Sequence, residues 1–164
     1  MSEIWVVNAS PIITLAKAGY LHLFDQLASV LIPEAVVHEV EAGPDTDPAR
    51  KSLEGGWGAR SSPREIPGAV LEWGLGAGES AVLALALESG RTAVLDDAAA
   101  RRCARSLGVA TLGTLGVVLR ARQGGLIPSA SHLAAALLKT GLRLDDETLR
   151  KALERVGERW PSGC

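Results

Sequence analysis

Ile4-Trp5-Val6-Val7-Asn8-Ala9-Ser10-Pro11-Ile12-Ile13 is the stretch that decides how the rest of the chain is read. Ile4 to Val7 is a short β-branched and aromatic run, which reads as a buried strand ending at Asn8. Ser10-Pro11 follows at once, an N-cap residue with proline at the first helical position. Ile12, Ile13, Leu15 and Ala16 give that helix an apolar side, and Gly19 stops it. A strand delivered straight into a helix leaves Asn8 at the carboxyl end of the strand.

The same alternation continues outward. Tyr20 to Leu27 reads as a second short helix and Val30-Leu31-Ile32 as a strand. Pro33 opens a helix through Ala42, closed by Gly43. Residues 44–68 carry little periodicity and are expected to be a loop or excursion. Gly74 to Gly78 is a glycine-rich turn before a helix over Glu79–Glu88. Thr92 to Leu95 reads as a strand ending at Asp96, then a helix from about Ala98 to Leu107. Val109 to Leu112 is a fourth strand, followed by helices over Thr114–Gln123 and Pro128–Thr140. Asp145 caps a last amphipathic helix with Leu149, Leu153 and Val156 inward. Strands separated by helices imply right-handed parallel crossovers. The expected class is α/β, a three-layer α/β/α sandwich around a central, mostly parallel sheet. Such sheets bind ligands beyond the carboxyl ends of their strands, and Asn8 and Asp96 share that rim.

The chain has 164 residues, 47% hydrophobic and 22% charged, which suits one domain over 1–164 with 128–164 as C-terminal helices. That apolar content excludes intrinsic disorder. No apolar run reaches the ~20 residues of a membrane span. Met1-Ser2-Glu3 lacks the basic and apolar regions of a secretory signal. Cys103 and Cys164 build no disulfide framework, so the expected compartment is the reducing cytoplasm. Charge is unevenly spread. Residues 1–82 hold five Lys/Arg against eleven Asp/Glu, and residues 83–164 hold twelve against eight. Between Asp97 and Asp145 there is no acid, but there are seven Lys/Arg, including Arg101, Arg102 and Arg105. An acidic half beside an arginine-rich half suits a metal site next to an anion-binding surface, or simply a solvated helix face.

Familiar catalytic patterns are missing. Gly74-Leu75-Gly76-Ala77-Gly78 fails as a dinucleotide fingerprint, because Glu79 stands where the third glycine is needed. His22, His38 and His132 lack zinc-ligand spacing, and no serine sits in a nucleophile elbow. What remains is an oxygen-only set: Asn8, Glu39, Glu79 and the pair Asp96-Asp97. Hard Mg²⁺ or Mn²⁺ prefers such ligands.

With those residues in view, Val6-Val7-Asn8-Ala9-Ser10-Pro11-Ile12-Ile13 resembles the opening of PIN-domain proteins: an apolar strand, an acid, one residue, then Ser. Four further segments fit in order. They are Ile32-Pro33-Glu34-Ala35-Val36-Val37-His38-Glu39-Val40, Gly76-Ala77-Gly78-Glu79-Ser80-Ala81, Leu95-Asp96-Asp97, and Gly108 with Gly113-Thr114-Leu115-Gly116. The resemblance covers residues 4–127, and the nearest branch opens V-V-N-x-S-P-[LI]-I, related to VapC-type toxins.

The resemblance implies a PIN-like fold and a Mg²⁺- or Mn²⁺-dependent endoribonuclease, the toxin of a toxin–antitoxin pair. Glu39, Glu79 and Asp96 match the acidic metal ligands, Asp97 is an adjacent candidate, and Ser10 matches the small hydroxyl residue. Thr114, Arg101, Arg102 and Arg105 are the expected substrate contacts. Asn8 stands where most PIN nucleases have Asp; it keeps one carbonyl oxygen for a metal but loses a negative charge. The implied partners are RNA, an antitoxin protein and a second copy of the chain. Leu15, Tyr20, Leu23 and Phe24 either cover that dimer face or fill the monomer core. The alternative function is a weakly catalytic module that binds RNA or an antitoxin.

Overall fold

The computed structural model describes residues 3–161, so the readings made on Met1, Ser2 and Cys164 lie outside the described residues. The strands are β1 (Glu3–Val7), β2 (Ala28–Ile32), β3 (Ala59–Arg60), β4 (Thr92–Val94) and β5 (Thr111–Leu112). They form one sheet in the order β3-β2-β1-β4-β5, and every pairing is parallel. Register is set at the centre, where Trp5 pairs with Val30 on one side and Thr92 on the other.

The helices are α1 (Ala9–Lys17), α2 (His22–Leu27), α3 (Glu34–Glu41), α4 (Pro48–Glu54), α5 (Gly68–Leu71), α6 (Ala77–Ser89), α7 (Ala98–Ser106), α8 (Thr114–Gln123), α9 (Ala130–Lys139) and α10 (Asp146–Glu154). They flank the sheet in two groups. In one, α3 packs on α1, α4 and α6; in the other, α8 packs on α2, α9 and α10. The sheet with its helices is the expected α/β/α sandwich.

Apolar burial decides which helices are central. In α6 the whole run Ser80–Ala86 is buried, so this helix is enclosed rather than amphipathic. Gly90 ends it at φ +64°, a left-handed cap that glycine adopts without steric cost. Trp5 meets Phe24 edge-on at 6.2 Å inside the core. Leu15, Leu23 and Phe24 are fully buried within this single chain, and Tyr20 packs partly against the same cluster. Those residues therefore fill the monomer core rather than offer a free face to a second copy. Among the described residues no helix is long and apolar enough to cross a membrane.

The excursion over 44–68 contains more order than its composition indicates. Asp47 accepts from the Ala49 backbone N–H at 2.8 Å and Pro48 sits at the first helical position, which together start α4. β3 adds a fifth, edge strand of two residues, too short for any alternation to show. The helix expected from Glu79 begins at Ala77, with Gly76 as its cap.

Candidate metal centre at the carboxyl rim of the sheet

Asn8 is the residue at which β1 becomes α1. Its backbone N–H donates to the Val94 carbonyl at 2.9 Å, which places it beside the carboxyl end of β4. It occupies the N-cap of α1, yet its side chain makes no capping bond. The residue is 4% exposed, and its Oδ1 is the one buried side-chain polar atom among the described residues with no hydrogen-bond partner. An unsatisfied buried acceptor costs about 1–3 kcal/mol, so it marks a place where a donor or cation belongs. Ser10, exposed on the first turn of α1, stands at the same end of the strand.

Asp96 lies two residues beyond β4 and is held from the far side. The Thr114 backbone N–H donates to its Oδ1 at 2.7 Å, and the Thr114 hydroxyl donates to its Oδ2 at 2.6 Å. Thr114 is fully buried at the start of α8, while Asp96 is partly exposed, so the carboxylate is fixed from the core side. Each Asp96 oxygen keeps further lone-pair capacity for a ligand. Asp97 is occupied elsewhere. Its Oδ2 accepts from the Ala100 N–H at 2.9 Å and caps α7.

The other two carboxylates meet where α3 packs on α6. Glu39 Oε1 accepts the backbone N–H of Gly78 at 3.0 Å. Glu79 is the third residue of α6, and its Oε2 folds back over Gly76. Desolvation, and then the like charge of Glu79, raise the Glu39 carboxyl above its ordinary range, while the Gly78 N–H opposes the rise. Two carboxylates that repel each other are a place where a cation is favoured.

The structure thus holds the acids in two separate places, Glu39 with Glu79 at the α3–α6 contact and Asp96 against Thr114 beyond β4. Among the described residues no three His, Cys, Asp or Glu side chains stand close enough together to hold one ion. The donor chemistry still fits a hard divalent ion. All four candidate donors are oxygens, the Asn8 carbonyl lacks a partner, and Mg²⁺ commonly keeps several waters while using only one or two carboxylates.

A cleft of about 490 Å³ opens beside Asp96, with Arg101 of α7 in its lining. Arg102 and Arg105 are exposed on the same helix and do not line it. The opposite wall carries Arg143, Lys151 and Arg155. The i,i+4 spacing of Lys151 and Arg155 on an amphipathic helix was the signal in the sequence that could have placed them together. The bond from Gly78 to Glu39 is likewise not visible in any spacing, because it joins residues 39 positions apart.

A family model described as a PIN domain matches residues 4–158. No curated protein matches the chain. PIN domains are generally nucleases and typically use divalent metals such as Mg²⁺ or Mn²⁺. The span of the match and the all-parallel sheet flanked by helices make this chain a member of the PIN-domain family.

Proposed function

We propose that this protein is a Mg²⁺- or Mn²⁺-dependent endoribonuclease that hydrolyses phosphodiester bonds, acting as the toxin of a toxin–antitoxin pair. The observation that carries the catalytic part is the buried, partnerless Oδ1 of Asn8, whose backbone N–H bonds to Val94 at the end of the strand that leads to Asp96. The toxin part is supported by the V-V-N-x-S-P opening of the chain.

From the candidate set Asn8, Glu39, Glu79 and Asp96, one or two carboxylates with retained waters would hold the ion, which when bound would activate water and neutralise charge on the phosphate. The rest of the work falls to the chain itself. Thr114 fixes the Asp96 carboxylate through both of its oxygens, so the acid loses little freedom when a ligand arrives. The Gly78 N–H fixes Glu39 in the same manner from α6. Arg101, lining the cleft with Asp96, offers a cation to the RNA phosphate and contributes affinity without sequence choice.

A second reading, an RNA- or antitoxin-binding module with little cutting, is favoured by the asparagine at position 8 and by the separation of the acids into two groups. A Mn²⁺ titration against single-stranded RNA decides between them. The nuclease cuts only with the ion, and Asp96→Asn abolishes that cutting. An Asp96→Asn protein that cuts as fast as the unmodified one overturns the nuclease reading. RNA bound without cleavage at any Mn²⁺ concentration supports the module.

A further inference from the structure

We propose that the cleft beside Asp96 is a subsite for one unpaired nucleotide of single-stranded RNA, its base on an apolar floor and its phosphates on a cationic rim. The proposal rests on the nuclease reading only in placing the scissile bond next to Asp96. The cleft encloses about 490 Å³, within the ~300–1,000 Å³ of pockets that take small organic ligands.

Three separate segments bring cations to it: Arg101 from α7, Arg143 from the connection between α9 and α10, and Lys151 with Arg155 from α10 and its end. Among the described residues Arg101, Arg143 and Arg155 form no ion pair. Lys151 meets Glu147 at 3.1 Å, but both side chains are at least 70% exposed, so solvent and salt leave that pair weak. Asp96 is the one acid among the lining residues. Leu112, Leu142, Thr111 and Thr148 line the same cleft, so apolar and hydroxyl-bearing side chains share it with the cations.

An inorganic anion would need the cations and leave the leucines unused. A nucleotide uses both, since its base has an apolar face and its backbone carries the charge. A base stacked in a duplex reaches a cleft only by costly extrusion, so a single strand is favoured. An acidic peptide would satisfy the cations but leave the apolar lining of Leu112 and Leu142 unused.

The test uses a labelled short oligouridylate in EDTA, where nothing is cut, read by fluorescence anisotropy at several salt concentrations. The double variant Arg143→Glu/Arg155→Glu changes two exposed side chains, and circular dichroism confirms its fold. Its affinity is expected to fall by at least about tenfold, with a salt slope shallower by roughly 0.7 per charge removed. In the unmodified protein, uridine monophosphate is expected to shift the backbone amide resonances of Leu142, Leu144 and Thr148. Equal binding by the double variant, duplex RNA binding as tightly as the single strand, tighter binding of an oligoglutamate, or undisturbed amides each overturn the subsite. If the strand binds in the cleft but Mn²⁺ never induces cutting, the nuclease reading falls and the subsite stands. If the double variant binds and cuts like the unmodified protein, the subsite falls alone.

Discussion

Glu158 ties the end of the chain to the start of α9, and replacing it by glutamine gives a test whose size follows from the structure. Its Oε2 accepts from the Ala130 N–H at 2.8 Å and its Oε1 from the Ser131 N–H at 2.9 Å. The Ser129 hydroxyl and the Arg122 Nε add bonds at 3.1 Å. Burial pushes this carboxyl up, but the backbone N–H groups of Ser131 and Ala130 and the two serine hydroxyls outweigh it, lowering the group from 4.5 to about 2. The folded protein therefore binds this proton less readily than the unfolded chain. The stabilisation is complete above about pH 5 and is lost as pH falls toward 2. A drop of that size corresponds to about 3 kcal/mol at 1.36 kcal/mol per pH unit. Glu158→Gln keeps the shape and removes the charge, so it is expected to lose about 2–3 kcal/mol at pH 7. Urea unfolding of both proteins between pH 7 and pH 2.5 measures the difference, in which the other titrating groups cancel. The gap should close steadily below pH 5. A gap absent at neutral pH, or one that persists unchanged at pH 2.5, would refute the assignment of this carboxylate as the charged cap of α9.

Four other outcomes are expected. Asn8→Asp places a fourth carboxylate on the rim and should tighten Mn²⁺ binding at least about tenfold, because an added unit charge near the ion is worth several kcal/mol; calorimetry reads it, and the metal-free protein should melt lower. Thr114→Val removes the hydroxyl bonded to Asp96 at 2.6 Å and should cost about 1.5–3 kcal/mol of stability, measured by chemical denaturation, with slower RNA cleavage beside it. Gly78→Ala drives a Cβ into the Glu39 carboxylate and should destabilise the α3–α6 junction by about 1–3 kcal/mol, seen as a lower melting temperature. Phe24→Ala empties a fully buried site and should cost about 3–5 kcal/mol, with a concentration-independent melt, since its partners lie within the monomer.

Most of the sheet was legible because its central strands are apolar runs that pass directly into helix starts. Trp5 to Val7, Val30 to Ile32 and Thr92 to Val94 are strands in the structure as they are in the pattern. What the pattern hid was short or polar. β3 is two exposed residues, and its strand character exists only through pairing with Leu31 and Ile32. α4 announced itself with Asp47-Pro48, a signal outweighed by the surrounding glycines, prolines and charges. Val109 fell outside β5, which starts at Thr111. The pattern put Asn8 and Asp96 at strand ends, where the structure has them, but contained nothing about which acid pairs with which. Asp96 bonding to Thr114, and Glu39 to the Gly78 N–H, are products of packing between distant segments.

Packing also explains why glycines accompany the acids. A Cβ on Gly78 would overlap the carboxylate of Glu39, so the residue before Glu79 has room for hydrogen alone. A Cβ on Gly113 would come within 3.2 Å of Asp96 Oδ1 and 2.9 Å of Arg101 Nη1, so the residue before Thr114 is constrained in the same way. In both places an acid approaches the beginning of a helix through a gap left by a missing side chain, and accepts a backbone N–H that the helix cannot satisfy internally. That arrangement fixes each carboxylate by a backbone donor at a helix start, where the helix dipole also favours its negative charge. Asn8 completes the pattern from the third side: it heads α1 but does not cap it, and its oxygen stays open. The three helix starts thus differ, α6 and α8 supplying N–H groups to acids and α1 lacking a side-chain cap from its own N-cap residue. In this Asn8 differs from Asp47, Asp97, Ser129 and Asp145, each of which turns its side chain onto a backbone N–H of the helix it starts.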